Sequence, residues 1–199
     1  MSSRQLALRD LTIGGEAPVR VESMLKIPLS LPEDCLAQCF SLHKVGCELV
    51  RVAFPSADLR GNLEWLNDRS PIPLMADIHF DHQLALDAIQ NGVHGLRLNP
   101  GNIRCEEKVR EIAAAAADWK VPIRVGVNAG SVRPEQWAEF PDRSEAMVQL
   151  ALRQAELLED AGCGHVLRDE PVERAGHDGA HHGRVGGDGG RSLTPRCSL

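Results

Sequence analysis

Short apolar runs alternate with longer amphipathic segments through most of this chain, a beat that suits strands and helices wound into a parallel sheet. Val19-Arg20-Val21-Glu22-Ser23, Leu49-Val50-Arg51-Val52-Ala53 and the runs at 73–78, 95–99 and 122–128 read as strands, and His165-Val166-Leu167 opens a sixth. The first helix is predicted to start at Pro32-Glu33-Asp34, where proline suits the first turn and the acids complement the helix dipole. Leu36, Cys39, Phe40 and His43 then recur at helical spacing until Gly46. Further helices are expected at about 59–67, 81–91, 104–119 and 144–160, the last ended by Gly162.

Five complete strand-helix units and the start of a sixth fall short of the eight that close a TIM-type barrel. The expected fold class is therefore α/β: a truncated (β/α) barrel with parallel strands, spanning 1–167 and binding the substrate. From Arg168 to 199 bulky apolar side chains nearly vanish. Such a segment does not bury enough surface to offset its ordering entropy and is expected to be a disordered tail.

Charge and composition narrow the function. Over 199 residues the formal net charge is -6, the wrong sign for a general nucleic-acid binder. Neither a leader pattern nor a run of about 20 apolar residues is present, so no membrane association is expected and the cytoplasm is the default. Six cysteines are scattered without C-x-x-C spacing and read as reduced thiols. Cys35 and Cys39, four apart on one helix, suit small core positions better than a ligand set. His177, His181 and His182 in the tail lack the supporting partners of a metal site, so none is assigned.

The chemistry lies inside the strands. Arg51, Asp77, Arg97 and Arg124 each interrupt an apolar run, and nearby polar residues keep a period of two: Asp77 with His79, Arg97 with Asn99, Arg124 with Asn128 through Gly126. Period two places each set on one face. The other face carries Val50, Val52, Ala76, Ile78, Leu96, Leu98, Ile123, Val125 and Val127 and is expected to pack against the outer helices. The polar face then lines the interior toward the carboxyl ends of the strands, where barrels of this type build active sites. Converging guanidinium groups suit a small, highly charged anion such as a diphosphate. The competing reading is internal salt bridging with Asp77 and with helix carboxylates; repetition in successive strands favours the anion. Asn99-Pro100-Gly101-Asn102 and Asn128-Ala129-Gly130-Ser131 follow their strands directly, and glycines there let backbone amides approach a phosphate.

In order and spacing, Val-Arg-Val at 50–52, Met-Ala-Asp-Ile-His-Phe-Asp at 75–81, Leu-Arg-Leu-Asn-Pro-Gly-Asn-Ile at 96–103 and Ile-Arg-Val-Gly-Val-Asn-Ala-Gly-Ser at 123–131 resemble one family. It is 4-hydroxy-3-methylbut-2-enyl diphosphate synthase of the non-mevalonate isoprenoid pathway. Glu22-Ser23-Met24 is similar to that family's Gln-Ser-Met. The resemblance implies an iron-sulfur oxidoreductase whose barrel holds 2-C-methyl-D-erythritol 2,4-cyclodiphosphate. It also implies a carboxyl-terminal domain with three cysteines and one glutamate on a [4Fe-4S] cluster, and ferredoxin or flavodoxin as electron donor. By the same resemblance Arg51, Arg97 and Arg124 neutralise the diphosphate, Asn99 and Asn128 hydrogen-bond it or its carbon skeleton, and Asp77 with His79 shape the polar wall.

The sequence departs from the family from Arg168 onward and carries no counterpart of the cluster ligands. A shifted reading frame in a GC-rich gene would produce such a tail; a short paralogue is the rival. The chain is thus expected to bind substrate, to assign no catalytic residue, and to be inactive alone. The alternative is a non-catalytic anion-binding fragment or pseudoenzyme. Exposed strand edges are expected to favour association, with a homo-oligomer as one form.

Overall fold

A computed structural model describes residues 5–78, 81–99, 103, 105–127 and 134–168. A hairpin of β1 (Leu6–Leu8) and β2 (Leu11–Ile13) precedes a six-stranded parallel sheet. The sheet strands are β3 (Glu22–Met24), β4 (Leu49–Ala53), β5 (Leu74–Ile78), β6 (Gly95–Leu98), β7 (Ile123–Val125) and β8 (Val166–Arg168), and their spatial order follows the chain. Between them lie α1 (Pro32–Lys44), α2 (Arg60–Arg69), α3 (His82–Gln90), α4 (Glu106–Trp119), the short α5 (Pro134–Trp137) and α6 (Arg143–Asp160). This is the expected α/β fold of parallel strands and connecting helices. The last strand runs one residue past the expected boundary, through Arg168, and the remainder of the predicted tail lies outside the described residues.

Local chemistry accounts for the helix ends. Asp81 and Asp142 cap α3 and α6, each carboxylate accepting a backbone N–H at 2.9 Å from Gln83 and Glu145 respectively. Gly46, at φ +87°, turns the chain out of α1 in a conformation that β-carbons oppose.

Two expectations shift. The first strand was expected at 19–23, but Val19 and Val21 are 97% and 56% exposed, and pairing with β4 begins at Glu22 opposite Leu49. Val21 instead ties down the edge, its carbonyl accepting from Glu48 N at 2.8 Å. On α1 the face against the sheet is Cys35 and Cys39, fully buried, whereas Phe40 lies next along the helix and is rotated outward, and His43 is exposed as well.

The two faces of the sheet separate as strand parity predicts. Val50, Val52, Ala76, Ile78, Leu96, Leu98, Ile123 and Val125 join Leu63, Ile89, Ile112 and Leu158 of the helices in one continuous apolar core. The inner face begins with a second cluster, Leu8, Leu11, Leu49 and Met75, which the hairpin completes as a floor beneath the strands. The hairpin was not anticipated. Its turn residue Arg9 sits at φ +57° in place of the usual glycine or asparagine, and it is held by donating to the carbonyls of Ser70 at 3.1 Å and Pro71 at 2.9 Å. Gly95 makes the floor possible, because a β-carbon there would lie 2.8 Å from the Leu8 Cδ2 and 3.1 Å from the Met75 Cε.

Leu8→Ala removes the centre of this floor and is expected to cost about 3 kcal/mol, read as a lower denaturant midpoint at unchanged slope. His94, just before β6, accepts the Leu74 N–H on Nδ1 at 3.2 Å. Burial, assisted by the Arg9 guanidinium, lowers its pKa to about 4. An unfolded imidazole protonates near pH 6.5. The unfolded chain therefore takes up more protons between these values, and stability falls as pH drops from about 6.5 to about 4. His94→Asn, with Oδ1 in place of Nδ1, is expected to flatten that profile of chemical-denaturation midpoints.

Candidate anion-binding site

Register brings the charged residues of the inner face into one row. Asp77 on β5 pairs with Arg97 on β6, which pairs with Arg124 on β7; Ala53 on β4 stands opposite Asp77. Arg51 lies one inward-facing position below Ala53, beside Met24 of β3 and Met75 of β5. The row sits above the apolar floor and at the carboxyl ends of the strands.

Two ion-pair systems organise these charges. Asp77, 3% exposed, accepts from the Arg97 guanidinium at 3.1 Å, and Arg97, 8% exposed, also donates to the Gly126 carbonyl at 3.0 Å. The Arg97 Nε is buried without a hydrogen-bond partner among the described residues. In the second system Glu22 of β3 reaches both Arg51, at 3.4 Å from Nε, and Arg124. Arg51 further donates to the Met24 sulfur at 3.4 Å. β3 and β7 are separated by three strands of the sheet, so Glu22 meets Arg124 only because the sheet curls into a barrel wall.

The competing reading of internal salt bridges had named Asp77 and helix carboxylates; Asp77 does pair with Arg97, and the second carboxylate is Glu22 of β3, a strand residue, not one from a helix. Asn99 is buried immediately beyond β6. His79 and Asn128 lie outside the described residues. Beside the row, the small Ala53 leaves room for a cavity of about 630 Å³ past the ends of β4 and β5, lined by Phe54, Pro55, Ser56, Asp77 and Asp81 among others. A site that joins guanidinium groups to an adjoining pocket with carboxylate and hydroxyl groups suits a compact phosphorylated ligand bearing hydroxyls.

The sequence profile of the GcpE TIM-barrel domain matches residues 3–167. The chain belongs to the GcpE TIM-barrel family. Among curated relatives, 4-hydroxy-3-methylbut-2-en-1-yl diphosphate synthase (flavodoxin) of Lawsonia intracellularis is 45% identical over 159 residues, covering 79% of this chain and 44% of that protein. The synthase of the same name from Thermodesulfovibrio yellowstonii is also 45% identical over 159 residues, covering 79% and 46%. The chain thus spans less than half the length of these relatives. Among solved structures, the dihydropteroate synthase of Xanthomonas albilineans matches with a TM-score of 0.60 at 16% identity, over 87% of this chain and 66% of that one. Phospho-2-dehydro-3-deoxyheptonate aldolase of Thermotoga maritima gives 0.60 at 10% identity, over 84% and 45%. These two likenesses establish the fold alone.

Iron-sulfur clusters are held mainly by cysteine thiolates, so the cysteines among the described residues can be tested for fit. Cys35, Cys39, Cys47 and Cys163 are buried and free. Burial pushes the Cys35 thiol up to about 11 and raises those of Cys39 and Cys163. Among the described residues no three histidine, cysteine or carboxylate side chains group as metal ligands. The four thiols are packing groups and do not fit a cluster. No helix among the described residues is long and apolar enough to cross a membrane.

Asp77→Ala strands the Arg97 charge in the GcpE interior and is expected to destabilise the chain by about 3 kcal/mol. Added pyrophosphate should restore part of the lost melting temperature of that variant, because the anion replaces the missing counter-charge.

Proposed function

We propose that this chain supplies the diphosphate-binding barrel wall of a 4-hydroxy-3-methylbut-2-enyl diphosphate synthase, an oxidoreductase of isoprenoid biosynthesis. The substrate is 2-C-methyl-D-erythritol 2,4-cyclodiphosphate, opened by a two-electron reduction with loss of water. The observation carrying this reading is the convergence of Arg51, Arg97 and Arg124 from three strands at the carboxyl end of a GcpE barrel. Three guanidinium groups against the carboxylates of Glu22 and Asp77 leave this set of side chains net positive.

In this reading Arg51, Arg97 and Arg124 neutralise the diphosphate, and Asn99 and Asn128 hydrogen-bond it or the carbon skeleton. Asp77 lines the adjoining cavity, where the hydroxyl-bearing carbons lie, and His79 is assigned with it to the polar wall by family resemblance. Electrons arrive in this family through a [4Fe-4S] cluster fed by flavodoxin or ferredoxin. The four buried thiols do not hold that group, so the described residues bind and orient substrate only. The chain is proposed to bind without turnover by itself, in the cytoplasm.

Isothermal titration of the 199-residue chain with the cyclic diphosphate tests this. Saturable one-to-one binding is expected, weakened at least about tenfold in Arg124→Met, a loss of about 1.4 kcal/mol. No binding to a folded chain would sink the reading and leave the arginines as an internal salt-bridge scaffold in a non-catalytic fragment.

A further inference from the structure

We propose that the Glu22 carboxylate is a built-in occupant of the phosphate site, holding Arg51 and Arg124 until phosphate oxygens displace it. The inference rests on the anion-site reading above and adds how the site is kept in the absence of ligand.

The two ion-pair systems of the inner face differ in access. The Asp77–Arg97 side chains are 3% and 10% exposed, and the pair is fixed further by the Gly126 carbonyl. Glu22, Arg51 and Arg124 are each about a quarter exposed, at 23%, 24% and 23%. An ion pair in contact with water contributes little to stability, so exchanging its anion is cheap; exchanging a buried one is not. Glu22 is therefore the exchangeable counter-charge of Arg51 and Arg124, whereas Arg97 meets a ligand with its Asp77 pair intact.

Carboxylate and phosphate oxygens compete for the same planar donor fork. Glu22 accepts a hydrogen bond from Arg124 and lies within ion-pair distance, 3.4 Å, of the Arg51 Nε, which makes no hydrogen bond among the described residues, so one carboxylate spans two arginines of different strands between β3 and β7. A phosphate seated between those guanidinium groups would meet the Glu22 oxygens, and like charges at that distance repel. Binding accordingly requires the carboxylate to swing away toward the mouth. A carboxylate in this position holds the two arginines facing each other in the empty barrel and sets a threshold that weakly binding monoanions do not cross. It lowers affinity for any phosphate ligand in return.

The test is titration calorimetry with inorganic pyrophosphate on the full chain, its Glu22→Gln variant, and Glu33→Gln, which makes the same charge change on the exposed outer helix. Glu22→Gln is expected to bind at least about tenfold tighter, while Glu33→Gln stays within about twofold of the unaltered chain. Tighter binding is a sign that structural damage does not produce. Equal or weaker binding by Glu22→Gln, with binding intact in the unaltered chain, overturns this proposal and leaves the anion site standing. Absence of binding in both overturns the two together. Should Glu22→Gln fail to fold, Glu22→Asp keeps the charge but is one methylene too short to span both arginines. It is expected to bind several-fold tighter, and unchanged affinity overturns the proposal.

Discussion

A guanidinium group withdrawn from water costs several kcal/mol unless a counter-charge meets it, and here the counter-charges come from other strands. Arg97 is met by Asp77 from the neighbouring strand, Arg51 and Arg124 by Glu22 from the edge of the sheet. Those pairings impose geometry on everything around them. Adjacent strands must keep a register that places Asp77 opposite Arg97, and the sheet must curl far enough for Glu22 to cross to β7. The outer helices bury the alternate face of each strand. The division of labour is physical: the apolar face provides the driving force for folding, and the inner face spends part of it to hold charges where a phosphate can reach them.

Much of this architecture was legible because strand parity is a strong constraint. Once Val50 and Val52 belong to the helix side, Arg51 has nowhere to point but inward, and the same holds for Asp77, Arg97 and Arg124. The start of the first helix followed from its proline and acidic first turn at Pro32-Glu33-Asp34, whereas the caps at Asp81 and Asp142 emerged with the structure. The first strand was displaced because Val19 and Val21 read as apolar strand residues although both face solvent; Val21 is tied to the edge by Glu48, whose backbone N–H donates to its carbonyl and whose carboxylate accepts its N–H.

The part of Glu22 is a different kind of omission. Arg51 is on the neighbouring strand, but Arg124 is separated from Glu22 by three strands and the curvature of the wall, and no local pattern encodes that distance. One signal was available: three inward arginines and a single inward aspartate demand further carboxylate, and Glu22 keeps the two-residue spacing with Met24 beside Arg51. The hairpin offered less, since Arg9 occupies a left-handed position without the residues that usually announce one. His79 and Asn128 fall outside the described residues, so their parts in the site remain proposals.

The floor under the site has a consequence for the order of folding. Leu8 packs against the space left by Gly95 and against Met75, which belong to strands synthesised long after it. Contacts so distant in sequence carry a heavy loop-closure penalty and form late. On the ribosome the hairpin emerges early, but the surface it rests on is not complete until β6 joins β4 and β5. A segment near the start of the chain is thus among the last to dock, and until then the inner face, with its arginines, stands open from below.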